Sequence, residues 1–97
     1  MELTGKQRRL LRSLGHHLEP VVHLGLGGVS PEVISQVRVQ LQAHELIKIK
    51  VGDGCGEPPK EAGASLSGAT GAMLAQVKGN TLLLYRPDPV KPRVLLP

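Results

Sequence analysis

Three glycines fall within four positions of the stretch HLGLGGVS, at Gly25, Gly27 and Gly28. An apolar run, PVVHL, precedes them, and a helix-start signal, Ser30-Pro31, follows. Glycine lets another backbone come close because no Cβ stands in the way. The first turn of a helix presents unpaired N–H groups and the positive end of its dipole. A glycine-rich connection at such a place has the chemistry of an anion site, typically for a phosphate. The competing reading is a tight strand-to-helix turn whose backbone conformations only glycine adopts readily.

Basic residues are the second candidate set. Lys6, Arg8, Arg9 and Arg12 lie close together near the start, Lys48 and Lys50 follow in the middle, and Lys78 and Arg86 come later. Such a run is often only a solvated helix face. Here the first group has no acidic partner at i+4 toward its centre, and a second basic set follows the glycine-bearing segment. Both features favour an anionic partner.

The well-known phosphate loops do not fit. G-x-x-x-x-G-K-[ST] is absent, and Gly25 and Gly27 match only the start of G-x-G-x-x-G because position 30 is Ser. What remains is G-x-x-G, Gly25-Leu26-Gly27-Gly28. The histidines do not suggest a metal. His16 and His17 are adjacent and point to different sides of a helix, and His23 and His44 stand apart from them. Cys55 lies between Gly54 and Gly56 and reads as exposed and oxidisable, but no base is placed to activate it. No acid, base and nucleophile constellation is visible, so the expectation is a protein that is not an enzyme and uses no cofactor and no metal.

The elements that must position these residues can be read from local signals. Thr4 is a suitable N-cap, and Leu3, Leu10, Leu11, Leu14 and Leu18 form one side of a first helix with Arg8, Arg9, Arg12 and His16 opposite. Gly15 weakens its last turn, and Pro20 blocks continuation. Residues 20–25 read as a strand. Ser30 caps a second helix over 31–44 with Pro31 at its first position, and Val33, Ile34, Val37 and Leu41 share its apolar face. ELIKIKVG (45–52) alternates, with Ile47, Ile49 and Val51 on one buried face and Lys48 and Lys50 on the other. Strand, helix and strand make a β-α-β unit with parallel strands. Residues 52–72 hold six glycines and two prolines, yet Ala62, Leu66, Ala69 and Met73 keep helical spacing, which predicts a short helix over about 58–69. Val77-Lys78 and Thr81-Leu82 flank Gly79-Asn80 as a hairpin. The expected organisation is one domain over 1–87 and an extended proline-rich tail over 88–97.

The bulk numbers agree with a small folded domain. The chain has 97 residues, a net charge of +4 and a single cysteine, so no internal disulfide forms. A chain of this size buries roughly 65% of the surface its unfolded form exposes. The start, MELTGKQRRLLRSLG, lacks the apolar region of a secretory signal, and no run approaches a membrane span, so a cytoplasmic location is expected. Trp and Phe are absent and Tyr85 is the sole aromatic of that class. Single-strand binders that stack bases on aromatic platforms are therefore excluded, and backbone and shape recognition is favoured.

The order basic helix, PVVHLGLGGVSPEV, amphipathic helix, HELIKIKV, then GNTLLLYRP resembles the CRM domain, the chloroplast RNA splicing and ribosome maturation module. It is most similar to the bacterial single-domain YhbY family of ribosome-assembly-associated proteins. The resemblance covers about Leu3 to Pro87. It implies an α/β fold of two layers, with a four-stranded mixed sheet and about three helices, similar to the C-terminal domain of translation initiation factor three. It also implies RNA binding, with the GxxG loop at Gly25, Leu26, Gly27 and Gly28, analogous to the loop by which KH domains clamp RNA backbone. The sequence departs from the family at 52–72, where glycine and proline replace much of a longer charged helix. The loop's two x positions, Leu26 and Gly27, are not basic, so a phosphate grip must come from backbone N–H groups.

The expected RNA-contacting residues are Gly25, Leu26, Gly27, Gly28, Lys6, Arg8, Arg9, Arg12, Lys48 and Lys50. The expected partner is RNA, in the family's context the precursor rRNA of the large (pre-50S) ribosomal subunit, bound by a monomer. The alternatives are a protein-interaction module of a ribosome-assembly complex and a small enzyme acting on a phosphorylated substrate. Substitution of Gly28 is expected to weaken RNA binding and leave the fold largely intact.

Overall fold

The first helix begins where local hydrogen bonding makes it begin. The Gln7 N–H donates to Thr4 Oγ1 at 3.1 Å, and the Thr4 N–H donates back to Gln7 Oε1 at 3.0 Å. This reciprocal capping box opens α1, Gly5–Gly15. The chain continues through β1 (Pro20–Leu24), α2 (Pro31–His44), β2 (Leu46–Val51), a 3-10 turn (Asp53–Cys55), α3 (Pro59–Thr70), β3 (Met73–Lys78) and β4 (Thr81–Tyr85). The computed structural model describes residues 2–94 and 96.

The sheet order is β1-β2-β4-β3, with β1 parallel to β2 and the other pairs antiparallel. The mixed sheet, the three helices and the parallel β-α-β unit match the sequence-based expectation. The helices are divided between the faces of the sheet. Val22, Leu24, Ile47, Ile49, Val51, Leu82 and Leu84 meet Val37 and Leu41 of α2 and Ala62 and Leu66 of α3 on one side. Leu46, Ala75, Leu83 and Tyr85 meet Leu11 of α1 on the other. α1 thus adds a partial third layer over the second face. β2 is consequently buried on both faces at its start, where Leu46 lies under α1, and only its end exposes the lysine side.

Glycine explains two close approaches that propensity alone argues against. A Cβ on Gly15 would stand 2.7 Å from Leu83 Cδ1, so this position lets α1 settle on the sheet. The weak last turn expected there is the point of contact. In α3, Gly63 faces Leu74 and Leu82, where a Cβ would come within 3.0 and 3.3 Å. The helix forms despite its glycines because its small residues let it pack on the sheet.

Three expectations need correction. Leu14 shares the leucine side of α1 but is 42% exposed, because α1 meets the sheet through Leu11 and Gly15. Met73, counted in the helical spacing, lies in β3, beyond the helix that ends at Thr70 before Gly71 at φ 76°, close to the expected 58–69. Cys55 is buried and packs into the larger core.

The segment after β4 is anchored through a residue the sequence reading treated as an ordinary strand position. Glu45, between α2 and β2, adopts φ 63° and its side chain is 1% exposed. Its carboxylate accepts the N–H groups of Asp88 at 2.6 Å, Arg93 at 2.7 Å and Val94 at 2.8 Å. The Arg93 guanidinium in turn donates to the carbonyls of Ala43 and Gln42 at the end of α2. Val94 and Leu96 then pack on the smaller core.

Candidate nucleic-acid interface

Three turns gather at one end of the sheet. The Gly52 N–H donates to the Leu24 carbonyl at 2.8 Å, and the Val51 N–H donates to the Asn80 carbonyl at 2.7 Å. These bonds tie the glycine loop, the 52–55 turn and the β3–β4 hairpin turn together. The loop closes through the Gly28 N–H to the Gly25 carbonyl at 3.0 Å. Gly27 and Gly28 adopt φ 94° and 57°, a region that costs other residues about 1–2 kcal/mol.

The glycines have different surroundings. A Cβ on Gly28 would stand 2.8 Å from the Cys55 carbonyl oxygen, whereas one on Gly25 or Gly27 would meet nothing within 4 Å. Gly28 therefore serves a tight turn against the 52–55 segment, and the expectation that its substitution spares the fold is overturned. Leu26 forms the tip and is 93% exposed.

The start of α2 is already capped. Ser30 Oγ accepts the Val33 N–H, Ser30 O accepts the Ile34 N–H, Pro31 has no N–H, and the Glu32 carboxylate lies in the first turn. Among the described residues, the N–H groups of Leu26, Gly27 and Val29 make no hydrogen bond. Donors for an anion are thus on the loop more than on the helix.

Beside this end lies a polar row that strand register creates. His23 pairs with Lys50, Lys50 with Thr81, and Thr81 with Lys78. Directly paired residues point to the same face. Ile49, Val51 and Leu82 face the larger core, so these four face the α1 side. His23, Lys50 and Lys78 are exposed and Thr81 is half-buried. Lys50 thus joins Lys78 across the sheet, and His23 lies two residues before Gly25. Sequence reasoning missed His23 and Thr81, since nothing in the chain marks them as neighbours.

The other expected residues separate. Arg8 donates to the Leu74 carbonyl at 3.1 Å and the Ala75 carbonyl at 3.4 Å, at the irregularity in β3. Arg12 joins Arg8, Lys60, Gln76 and Val77 around a shallow depression along that strand. Lys6 and Arg9 are exposed on α1. Lys48 is half-buried beside Leu14, Leu18 and Val21, in the row next to Lys50. Arg86 is remote from the loop, donating to the Thr70 carbonyl at 2.8 Å.

The acidic groups with displaced pKa values serve the far end of the fold. Burial pushes the Glu45 carboxyl up, but the N–H groups of Asp88, Val94 and Arg93 and the charge of Arg93 more than reverse this, and its pKa is lowered. Burial, with the nearby Glu45 charge, pushes the Tyr85 hydroxyl up. Asp53 and Glu32 lie beside the glycine loop, so that end carries mixed charge while the row is basic and neutral.

Residues 3–86 match the model of the CRS1 / YhbY (CRM) domain. The chain belongs to the CRM domain family. This CRM domain is 40% identical over 95 residues to a Bacillus subtilis protein named probable RNA-binding protein YqeI, covering 98% of this chain and 99% of that one. It is 38% identical over 86 residues to a protein of Haemophilus influenzae named RNA-binding protein, covering 89% and 87%. The solution structure of SAV1595 from Staphylococcus aureus, described as a candidate RNA binding protein, superposes on the CRM domain with a TM-score of 0.79 at 38% identity. That match covers 99% of this chain and 100% of the other. No helix among the described residues of the CRM domain is long and apolar enough to cross a membrane.

Proposed function

We propose that this CRM domain binds RNA through its sugar–phosphate backbone, on the surface formed by the GxxG loop and the row beneath it, with Arg9 of α1 as a separate exposed contact. The observation that carries this is the alignment of His23, Lys50, Thr81 and Lys78 next to Gly25-Leu26-Gly27-Gly28, with no acidic residue within the row. The names of the relatives support the same reading. The loop contributes the N–H groups of Leu26, Gly27 and Val29, and the lysines contribute charge. Tyr85 is 1% exposed, so no tyrosine ring is offered for base stacking. Recognition then rests on backbone and shape, and sequence preference is modest.

The target is precursor rRNA of the large ribosomal subunit during assembly, in keeping with the family. Sedimentation of tagged protein on a ribosome gradient tests this. Co-migration with large-subunit precursors that is lost after ribonuclease treatment is the expected result. Protein remaining at the top of the gradient overturns the ribosomal target, and a precursor association that survives ribonuclease favours docking on a protein.

A further inference from the structure

The polar row has an internal order of its own. Lys50 and Lys78 flank Thr81, and neighbouring strands are about 4.8 Å apart, so the two lysine backbones are separated by about 10 Å with the hydroxyl between them. Among the described residues neither lysine forms an ion pair. The Thr81 hydroxyl makes no hydrogen bond there either, and the residue is only half-buried, so the hydroxyl is available. A hydroxyl both donates and accepts, whereas an ammonium only donates. Ammonium, hydroxyl, ammonium is thus the complement of phosphate, ribose, phosphate. The ribose 2′-hydroxyl, itself donor and acceptor, is the group that distinguishes RNA from DNA.

We propose that Thr81 is a specificity-determining residue that selects RNA over DNA, its Oγ1 meeting a ribose 2′-hydroxyl while Lys50 and Lys78 hold the adjoining phosphates. This rests on the RNA-binding reading and adds to it the group that is read. The lysines attract either nucleic acid, and Thr81 supplies the contact that only RNA completes. The glycine loop, whose free donors are N–H groups, holds phosphate without telling the two apart.

The test measures the affinity of the full chain for an RNA hairpin and for the DNA hairpin of matching sequence, at one salt concentration. The parent is expected to prefer RNA by roughly 3- to 10-fold through this contact, the worth of one net hydrogen bond. Thr81→Val, which keeps a β-branched side chain suited to a strand, should remove most of that preference by weakening RNA binding alone. Thr81→Ser, which keeps the hydroxyl, should retain it. Circular dichroism and melting of both variants separate a lost contact from a lost fold. Equal affinity of the parent for the two hairpins, or a preference unchanged in folded Thr81→Val, overturns the proposal. Lys50→Glu and Lys78→Glu distinguish this failure from that of the broader reading. If both variants bind RNA as the parent does, the row is not the interface and Thr81 falls with it. If they weaken RNA binding and Thr81→Val does not, only the role of Thr81 is lost.

Discussion

A Cβ on Gly28 would stand 2.8 Å from the carbonyl oxygen of Cys55, and Gly28 holds φ 57°. Both facts make glycine structurally necessary there. Gly28→Ala is expected to destabilise the fold by about 2–4 kcal/mol, combining left-handed strain with a backbone clash. That corresponds to a melting temperature lower by about 8 °C or more for a domain of this size. Gly25→Ala, in open space and without positive φ, should stay within about 0.5 kcal/mol of the parent. RNA affinity is therefore best tested at Gly25. A Gly28→Ala protein melting with the parent would refute the packing role.

Glu45→Gln should be among the most damaging single changes. Each carboxylate oxygen faces backbone N–H groups, and an amide places its own NH₂ against one of them. A loss of about 2–4 kcal/mol is expected. The pH dependence has a definite sign. The folded pKa of Glu45 lies below its ordinary value of 4.5, so its contribution is complete above that value and fades as pH falls through the folded pKa. Melting curves of parent and Glu45→Gln should therefore converge as the solution is acidified below 4.5 and on through the lowered folded pKa. A gap that widens toward acid would contradict this account.

Arg8 and Arg9 are neighbours with different duties. Arg8→Ala removes hydrogen bonds to the Leu74 and Ala75 carbonyls and should cost about 0.5–1.5 kcal/mol of stability. Arg9→Ala should leave stability near the parent value and weaken RNA binding more than Arg8→Ala does. Paired melting and binding measurements check the assignment, and the reverse ordering would sink it.

If phosphates dominate the interaction, log affinity falls linearly with log salt. Engagement of about 4 to 6 phosphates gives a slope of roughly −3 to −4 on single-stranded segments. Lys50→Ala and Lys78→Ala should each make the slope shallower by at most about 1 and weaken unrelated RNAs by similar factors. Gly25→Val adds no charge, so it should lower affinity with little change in slope. A flat salt response in the parent would remove the phosphate model and favour a protein-binding role.

What the sequence determined by itself was what neighbours along the chain decide. Thr4 with Gln7, and Ser30 with Pro31, start their helices through contacts three residues or fewer away. The alternation of Ile47, Ile49 and Val51 marks a strand because side chains in strands alternate faces. Gly79 marks the hairpin because φ 58° is open to it. The ordered motifs also carried the family, and with it the expectation of RNA. Tertiary structure decided the rest, because those choices depend on residues far apart in sequence. Lys50 and Lys78 share a row only once β4 pairs with both β2 and β3. Gly28 is needed for its left-handed backbone, and the Cys55 carbonyl that comes against it leaves no room for a Cβ. Leu14 is left exposed because α1 approaches the sheet through Gly15. Glu45 carries the C-terminal segment because three N–H groups more than 40 positions away converge on its buried carboxylate, and no local pattern encodes where a distant backbone will point.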